Sequence, residues 1–360
     1  MAGAGMAGLA AAARARELGA VPVVVEKGDR AGGSMLLSSG VVWSHPTLAA
    51  FRAECPGGDP RLQRRIVEEL DEALDWLEQL GAPVLERSTG NERTVGLRFD
   101  PRGLTEALVR AAGEPRLGTP FADAQILATG GFGARLARER GLPLRANRWS
   151  EGDGLAYGLG RGADLSGGMD EFYGRALPVE VGEELFVSAA QLYGAHALVL
   201  DDQGREFFTR EPSWSETDLV QAIARLPGGT AWYVVDARAL RLPVRERSVA
   251  ELVEQARAAG GDVRPAKELP FELPASPKLA EPPFLAVRVR AAVTHTIGGL
   301  RIDEDAHVLR ADGSAIEGLH AAGADAGGIF TGGYGSGLAA ALVFGRIAAA
   351  SALRTATPAA

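Results

Sequence analysis

Three glycines, Gly3, Gly5 and Gly8, stand at Gly-x-Gly-x-x-Gly spacing, and an acid, Glu26, closes the β-branched run "VPVVVEK" that follows them. Between the two lies an Ala-rich segment ending near Gly19. Turn, helix, strand and acid in that order make a dinucleotide-binding pattern. The first glycine permits a tight turn, the second lets backbone N–H groups approach a pyrophosphate, and the third lets helix and strand pack closely. The positive end of the helix faces the phosphates. Glu26 can accept hydrogen bonds from both ribose hydroxyls of an adenosine, while its charge repels a 2′-phosphate and so disfavours NADP.

A second glycine-rich pattern lies near the other end of the chain. "GLHAAGADAGG" reads as a buried strand ending in a glycine turn, and "GYGSGLAAALVFGRIAAASAL" as a turn feeding an Ala-rich helix from about Gly337. Backbone N–H groups around Ser336, Gly337 and Leu338 can stabilise an anion. In a flavin enzyme that anion forms at the N1 and C2 carbonyl edge of the reduced ring.

The segment "EKGDRAGGSMLLSSG" resembles the fumarate reductase and succinate dehydrogenase flavoprotein family, in which a Gly-Gly-Ser turn and small residues run along FAD toward its ring. Three further stretches resemble that family in the same order: "AQILATGGFG", "SEGDGLAYGLGRGADLSGGMDEFYGR" and "THTIGGLRIDEDAHVLRADGSAIEGLHAAGADAGGIFTGGYGSGLAAALVFGRIAA". The resemblance implies FAD contacts from Met6 and Ala7 in the first turn, and from Lys27 beside Glu26. It also implies contacts from Gly32, Gly33 and Ser34, and from Ser38, Ser39 and Gly40. Further along it places Ala128, Thr129, Gly130 and Gly131 at the cofactor, with Asp153, Gly323 and Asp325. "SSG" stands where succinate dehydrogenases carry their flavin-linking histidine, which implies noncovalent FAD.

For chemistry, the resemblance implies hydride exchange at the flavin with a side chain moving the accompanying proton. Fumarate reductases use an arginine donor, a histidine before a "T-x-G-G" motif and a further arginine before the last helix. Here His295 stands in "VTHTIGG", Trp214 stands near the donor position with Arg210 only nearby, and "TGGYGSG" has no arginine. A dicarboxylate clamp, which needs paired guanidinium or imidazole partners, is therefore not expected. The chain is more similar to the 3-ketosteroid dehydrogenase branch, which uses tyrosines, and Tyr334 in the matching turn becomes the leading catalytic candidate. Tyr173 and Tyr193 are secondary candidates; a tyrosine packed with its hydroxyl wet is the bland alternative for each. His45, His307 and His320 read as surface or turn histidines. The expected function is an FAD-dependent oxidoreductase acting on a C–C bond next to a carbonyl in an apolar small molecule, with its electron acceptor unspecified. The alternatives are a fumarate reductase-like dicarboxylate or enoate reductase using Arg210 and His295, and a catalytically silent flavoprotein relative.

These residues need an α/β scaffold. The motifs imply a Rossmann-like FAD-binding domain over 1–170 and 286–360, interrupted by an inserted α+β cap at 171–285. Two sheet elements are expected to be missing or reduced. Only Met1 and Ala2 precede the glycine turn where a first strand belongs, so either residues are missing upstream or the strand is curtailed. "EPRLGTPFADAQILATGG" leaves almost no room for a β-meander. Residues 61–82 carry apolar side chains at helical spacing, and the Pro-rich stretch 268–284 reads as an extended crossover.

With 360 residues, 46% of them hydrophobic, the chain can bury a large core, and its net charge of −8 offers nothing to nucleic acid or an anionic membrane. The single cysteine, Cys55, can form no internal disulfide. Arg14, Arg16 and Glu17 interrupt the apolar opening too early for a signal peptide, and no run reads as a transmembrane segment. A cytoplasmic protein is expected.

Overall fold

Small side chains let the helices of this protein approach one another closely. In the computed structural model, which describes residues 1–356, the helices are α1 (Met6–Glu17), α2 (Leu48–Glu54), α3 (Pro60–Gln79), α4 (Pro101–Ala112), α5 (Gly133–Arg140), α6 (Asp153–Gly160), α7 (Thr217–Ala224), α8 (Ala237–Leu240), α9 (Val249–Ala258) and α10 (Gly337–Ala356). Helix α1 buries its alanines against α10 and α4. A Cβ at Gly345 of α10 would stand 2.5 Å from the Ala7 carbonyl oxygen, so α1 and α10 meet backbone to backbone. Helix α3 occupies the amphipathic stretch, starting at the Asp59 cap, whose carboxylate accepts from Arg61 N–H.

The strands are β1 (Val41–Ser44), β2 (Val84–Glu86), β3 (Val95–Phe99), β4 (Ile126–Leu127), β5 (Phe172–Leu177), β6 (Leu198–Leu200), β7 (Thr230–Val235), β8 (Pro243–Val244), β9 (Arg247–Ser248), β10 (Val263–Pro265), β11 (Leu285–Thr296), β12 (His307–Leu309) and β13 (Ala315–Ala321). The described residues divide into two compact units: one comprises 1–135, 146–172 and the chain from His295 onward, the other 136–145 and 173–294. The last stretch of the first unit begins at His295, near the end of β11, which pairs with β7 and β10.

In the first unit, Ala2 makes parallel bridges to Val25 on one side and Leu127 on the other, and Val25 bridges in parallel to Arg116. Strand β4 pairs in parallel with β13, and β12 lies antiparallel outside it. The backbone at Ala2 and Gly3 is satisfied on both sides: Ala2 N–H donates to Ile126 O at 2.9 Å and Gly3 N–H to Val25 O at 2.8 Å. Among the described residues, 113–125 contribute only the Arg116 bridge where a meander was in question. Strands β1, β3 and β2 form a separate antiparallel sheet.

The second unit is built on the sheet β10-β11-β7-β6, with β5 also pairing β11. Leu198, Leu200, Trp232, Val234 and Ala286 form its apolar centre, and Phe271, Leu273, Leu279 and Phe284 of the Pro-rich stretch pack against it. One sequence expectation about membranes needs correction. Residues 337–354 of α10 are long and apolar enough to cross a bilayer, and 61% of that window is buried in the protein. An Ala-rich helix packed against another Ala-rich helix is apolar on most of its faces for that reason.

Candidate active site

The glycine turn and Glu26 come together around a cavity of about 330 Å³ in the first unit, lined also by Lys27, Thr129 and Asp153. Gly3 has φ +103° and a Cβ there would lie 2.1 Å from the Ala128 carbonyl oxygen; one at Gly8 would lie 1.9 Å from Gly3 O. Both positions exclude any side chain. Gly5, at the N-cap of α1, is different: its Cβ would meet nothing nearer than 4.0 Å, where Gly32 and Gly33 lie. The open space over the start of α1, beside the backbone of Met6 and Ala7, is therefore a cradle that a side chain would fill and an anion fits.

Glu26 is buried, at 8% exposure, and its carboxylate accepts from Ala4 N–H at 2.8 Å and Gly28 N–H at 2.7 Å. These two bonds lock the acid beneath the cavity and leave each oxygen with acceptor capacity. Lys27 pairs with Asp153 across the cavity wall. Asp325 is fully buried and clamps the turn 128–131, accepting from Thr129 N–H (2.5 Å), Thr129 Oγ1 (2.9 Å) and Gly131 N–H (2.9 Å). Burial raises its pKa against those bonds. Ser34 Oγ accepts from Asn147 N–H, and Ser38 Oγ, bonded to Met35 O, accepts from Gly40 N–H, so these residues shape the turn that leads into β1. Phe121, Trp149 and Tyr157, which sequence reasoning missed, also line the cavity. They are contributed by loops and by α6, and no spacing joins them to the glycine motif.

The start of α10 gathers the second group of candidates. Ser336 caps the helix, its Oγ accepting from Ala339 N–H at 3.2 Å, and Gly337 N–H donates to Tyr334 Oη at 3.1 Å. A Cβ at Gly337 would stand 3.0 Å from His295 Cε1, so the imidazole lies directly on the first turn. Around Tyr334 stand Phe330 (ring centroids 5.6 Å apart), Trp43 (6.1 Å) and His295 (6.1 Å). Burial lowers the pKa of His295 to about 4, which keeps it neutral at ordinary pH.

The expectation that His45 is a surface histidine is corrected: it is 3% exposed and its ring lies 5.5 Å from Trp43 and 5.0 Å from Phe51. Burial pulls its pKa to about 4. His320 is corrected likewise; it is fully buried on β13, 4.8 Å from His307, which is half-buried and tied to Asp303 and Ser351. Neither burial was legible, because each histidine is covered by elements distant in sequence.

Arg210, Tyr173 and Tyr193 belong to the second unit. Arg210 is ion-paired with Asp218 at 2.5 Å and lies over Phe208. Tyr193 is fully buried, packed edge-on against Tyr233 at 5.5 Å, and burial raises the pKa of its hydroxyl. Tyr173 carries the Arg175 guanidinium 4.8 Å over its ring. Arg175 is buried and bonds to Ser215 O. Arg245, at φ 57° in the turn between β8 and β9, is exposed as a residue, yet burial and then the like charge of Arg175 lower the pKa of its guanidinium. The sequence marked neither arginine.

The model of the family described as FAD binding domain matches residues 1–119 and 97–337. The chain is 24% identical over 441 aligned positions to a probable fumarate reductase, Ifc3, of Shewanella frigidimarina (strain NCIMB 400), covering 98% of this chain and 74% of that protein. The aligned positions outnumber the residues of this chain, so the relative carries segments that are absent here. Among solved structures, the open conformation of a flavocytochrome c3 fumarate reductase matches with a TM-score of 0.71 at 21% identity, over 99% of this chain and 78% of the other. A 3-ketosteroid-Δ4-(5α)-dehydrogenase from Rhodococcus jostii RHA1 matches with a TM-score of 0.70 at 20% identity, over 98% and 95%. These two likenesses are of fold.

Proposed function

The chain belongs to the FAD binding domain family, and from that premise we propose that this FAD-dependent oxidoreductase exchanges a hydride with a C–C bond next to the carbonyl of an apolar substrate. The observation that carries the reading is the wall of rings at the start of α10, where Tyr334 stands among Trp43, Phe330 and a neutral His295. Neutral rings attract a planar apolar molecule and offer no counter-charge to a carboxylate.

The turn at Gly3–Gly8, Glu26, the 128–131 turn and the start of α10 would hold FAD noncovalently, in a Rossmann-like arrangement that the parallel bridges at Ala2 support. Bound FAD supplies hydride exchange at the N5 atom of its ring system. Tyr334 Oη is the atom that gives or takes the accompanying proton. Gly337 N–H already donates to that oxygen, and the positive end of α10 lies behind it, so negative charge developing there is stabilised in place. Phe330 and Trp43 lie against the phenol ring.

The test is anaerobic mixing of the flavin-loaded protein with a panel of ring ketones, following flavin absorbance near roughly 450 nm. The panel should bleach the wild type, and Tyr334→Phe should slow bleaching on the order of 10²-fold with FAD retained. A Phe variant that bleaches at the parental rate returns Tyr334 to packing. A second reading, a reductase of unsaturated acids, is favoured by the Arg175 and Arg245 guanidinium groups of the second unit. Reoxidation of the reduced flavin by fumarate, but not by enones, would select it. A protein that retains flavin and responds to neither panel is the silent relative.

A further inference from the structure

His45 emerged from the fold as a buried ring with no assigned role, although it sits one bond away from the leading catalytic residue. It follows β1 directly and precedes the Thr47 cap of α2, so two elements fix its backbone. Its ring donates an N–H to the backbone carbonyl of Tyr334. Phe51, 5.0 Å from His45, stacks on Phe330 at 5.9 Å, and Phe330 lies 5.6 Å from Tyr334. These rings also wall the turn backbone. A Cβ at Gly335 would stand 2.7 Å from Phe330 and 3.0 Å from Phe51.

The turn 334–337 is consequently held at two points, by His45 on the Tyr334 carbonyl and by the Gly337 N–H on the Tyr334 hydroxyl. The two bonds constrain the same residue from opposite ends. We propose that His45 is a positioning residue: its ring N–H fixes the Tyr334 turn so that the phenol stays on the Gly337 N–H and aims at the reacting carbon. The proposal rests on the reading of Tyr334 given above.

A neutral imidazole suits this task. It has one N–H to give and adds no charge to an apolar wall, whereas a lysine or arginine there would bring an unpaired cation into it. The Trp43 and Phe51 rings against it also leave the imidazole few orientations, which makes the donated bond directional.

Three matched variants separate donor from shape. His45→Asn keeps an N–H donor and His45→Leu removes it at nearly the same size; His45→Phe keeps a ring without the donor. In the flavin-loaded protein, hydrogen exchange at the Gly337 amide should speed up roughly tenfold or more in the Leu and Phe variants and return toward the parental rate in the Asn variant. Turnover should fall roughly tenfold or more in the same two variants with KM nearly unchanged, since a displaced group costs rate more than binding. Adding His45→Leu to Tyr334→Phe should change neither readout further.

Parental exchange at Gly337 in both donor-less variants overturns the proposal, and so does equal loss in Asn and Leu, which would mark a packing role only. If Tyr334→Phe alone turns over at the parental rate while His45→Leu still loosens Gly337, the reading of Tyr334 fails and the positioning of the turn by His45 stands.

Discussion

Glu26 shows how one side chain can serve the scaffold and the ligand together. Its two oxygens accept from Ala4 and Gly28 N–H groups, which ties the glycine turn to the segment after the acid, and the same carboxylate lines the cavity. Removing it should therefore weaken FAD binding through lost ribose contacts and through a loosened turn. Glu26→Gln grades the loss, because the amide keeps the shape and one acceptor oxygen while its NH2 faces a backbone N–H that the lost oxygen accepted. We expect the Kd for FAD to rise about tenfold in the Gln variant and further in Glu26→Ala, in line with the loss of about 1.5–3 kcal/mol for a charge-assisted bond. Titration of the apoprotein with FAD checks it, and an unchanged Kd in both would remove Glu26 from the site. The order of Gly3, Gly5, Gly8 and Glu26 was legible in the sequence because each acts on its near neighbours. The burial of His45 was not, since Phe51, Trp43 and Tyr334 reach it only through folding.

At the scale of an element, α10 decides what the site can do. Its capped N-terminus meets the Tyr334 phenol and the His295 imidazole at Gly337, and the helix packs against α1. Ser336→Asp should keep the cap, because aspartate caps helices as well as serine does, while adding a negative charge where a reduced flavin becomes anionic. The expected result is a more negative flavin reduction potential, with some loss of stability because the carboxylate is buried where Ser336 is. An unchanged potential, measured by dye equilibration, would place the flavin ring elsewhere. The length and apolarity of α10 follow from its alanines, but its role as a buried partner of α1 depends on Gly345 meeting the Ala7 backbone.

For the molecule as a whole, acid should be the vulnerable side for the first unit. His320 is fully buried, and burial and the neighbouring His307 hold its pKa at about 4. An unfolded histidine takes up its proton near pH 6.5, so between about 6.5 and 4 the unfolded chain binds more protons and stability falls as pH falls. Wild type should lose about 2 kcal/mol more than His320→Leu between pH 7 and pH 5, a difference that urea unfolding at the two values measures. Equal losses would show that His320 is not buried neutral. What the sequence determined by itself was local chemistry: the glycine turn, the acid ending the run after it, the amphipathic stretch that became α3, and the turn feeding α10. Each depends on residues a few positions apart, whose periodicity and backbone needs are written in order along the chain. Only the tertiary structure decided that Ala2 bridges both Val25 and Leu127, that Phe121, Trp149 and Tyr157 wall the cavity, and that the His45 ring reaches the Tyr334 backbone. Those contacts join segments tens to hundreds of residues apart, and burial, which sets both the aromatic walls and the neutral imidazoles, exists only once the segments have packed.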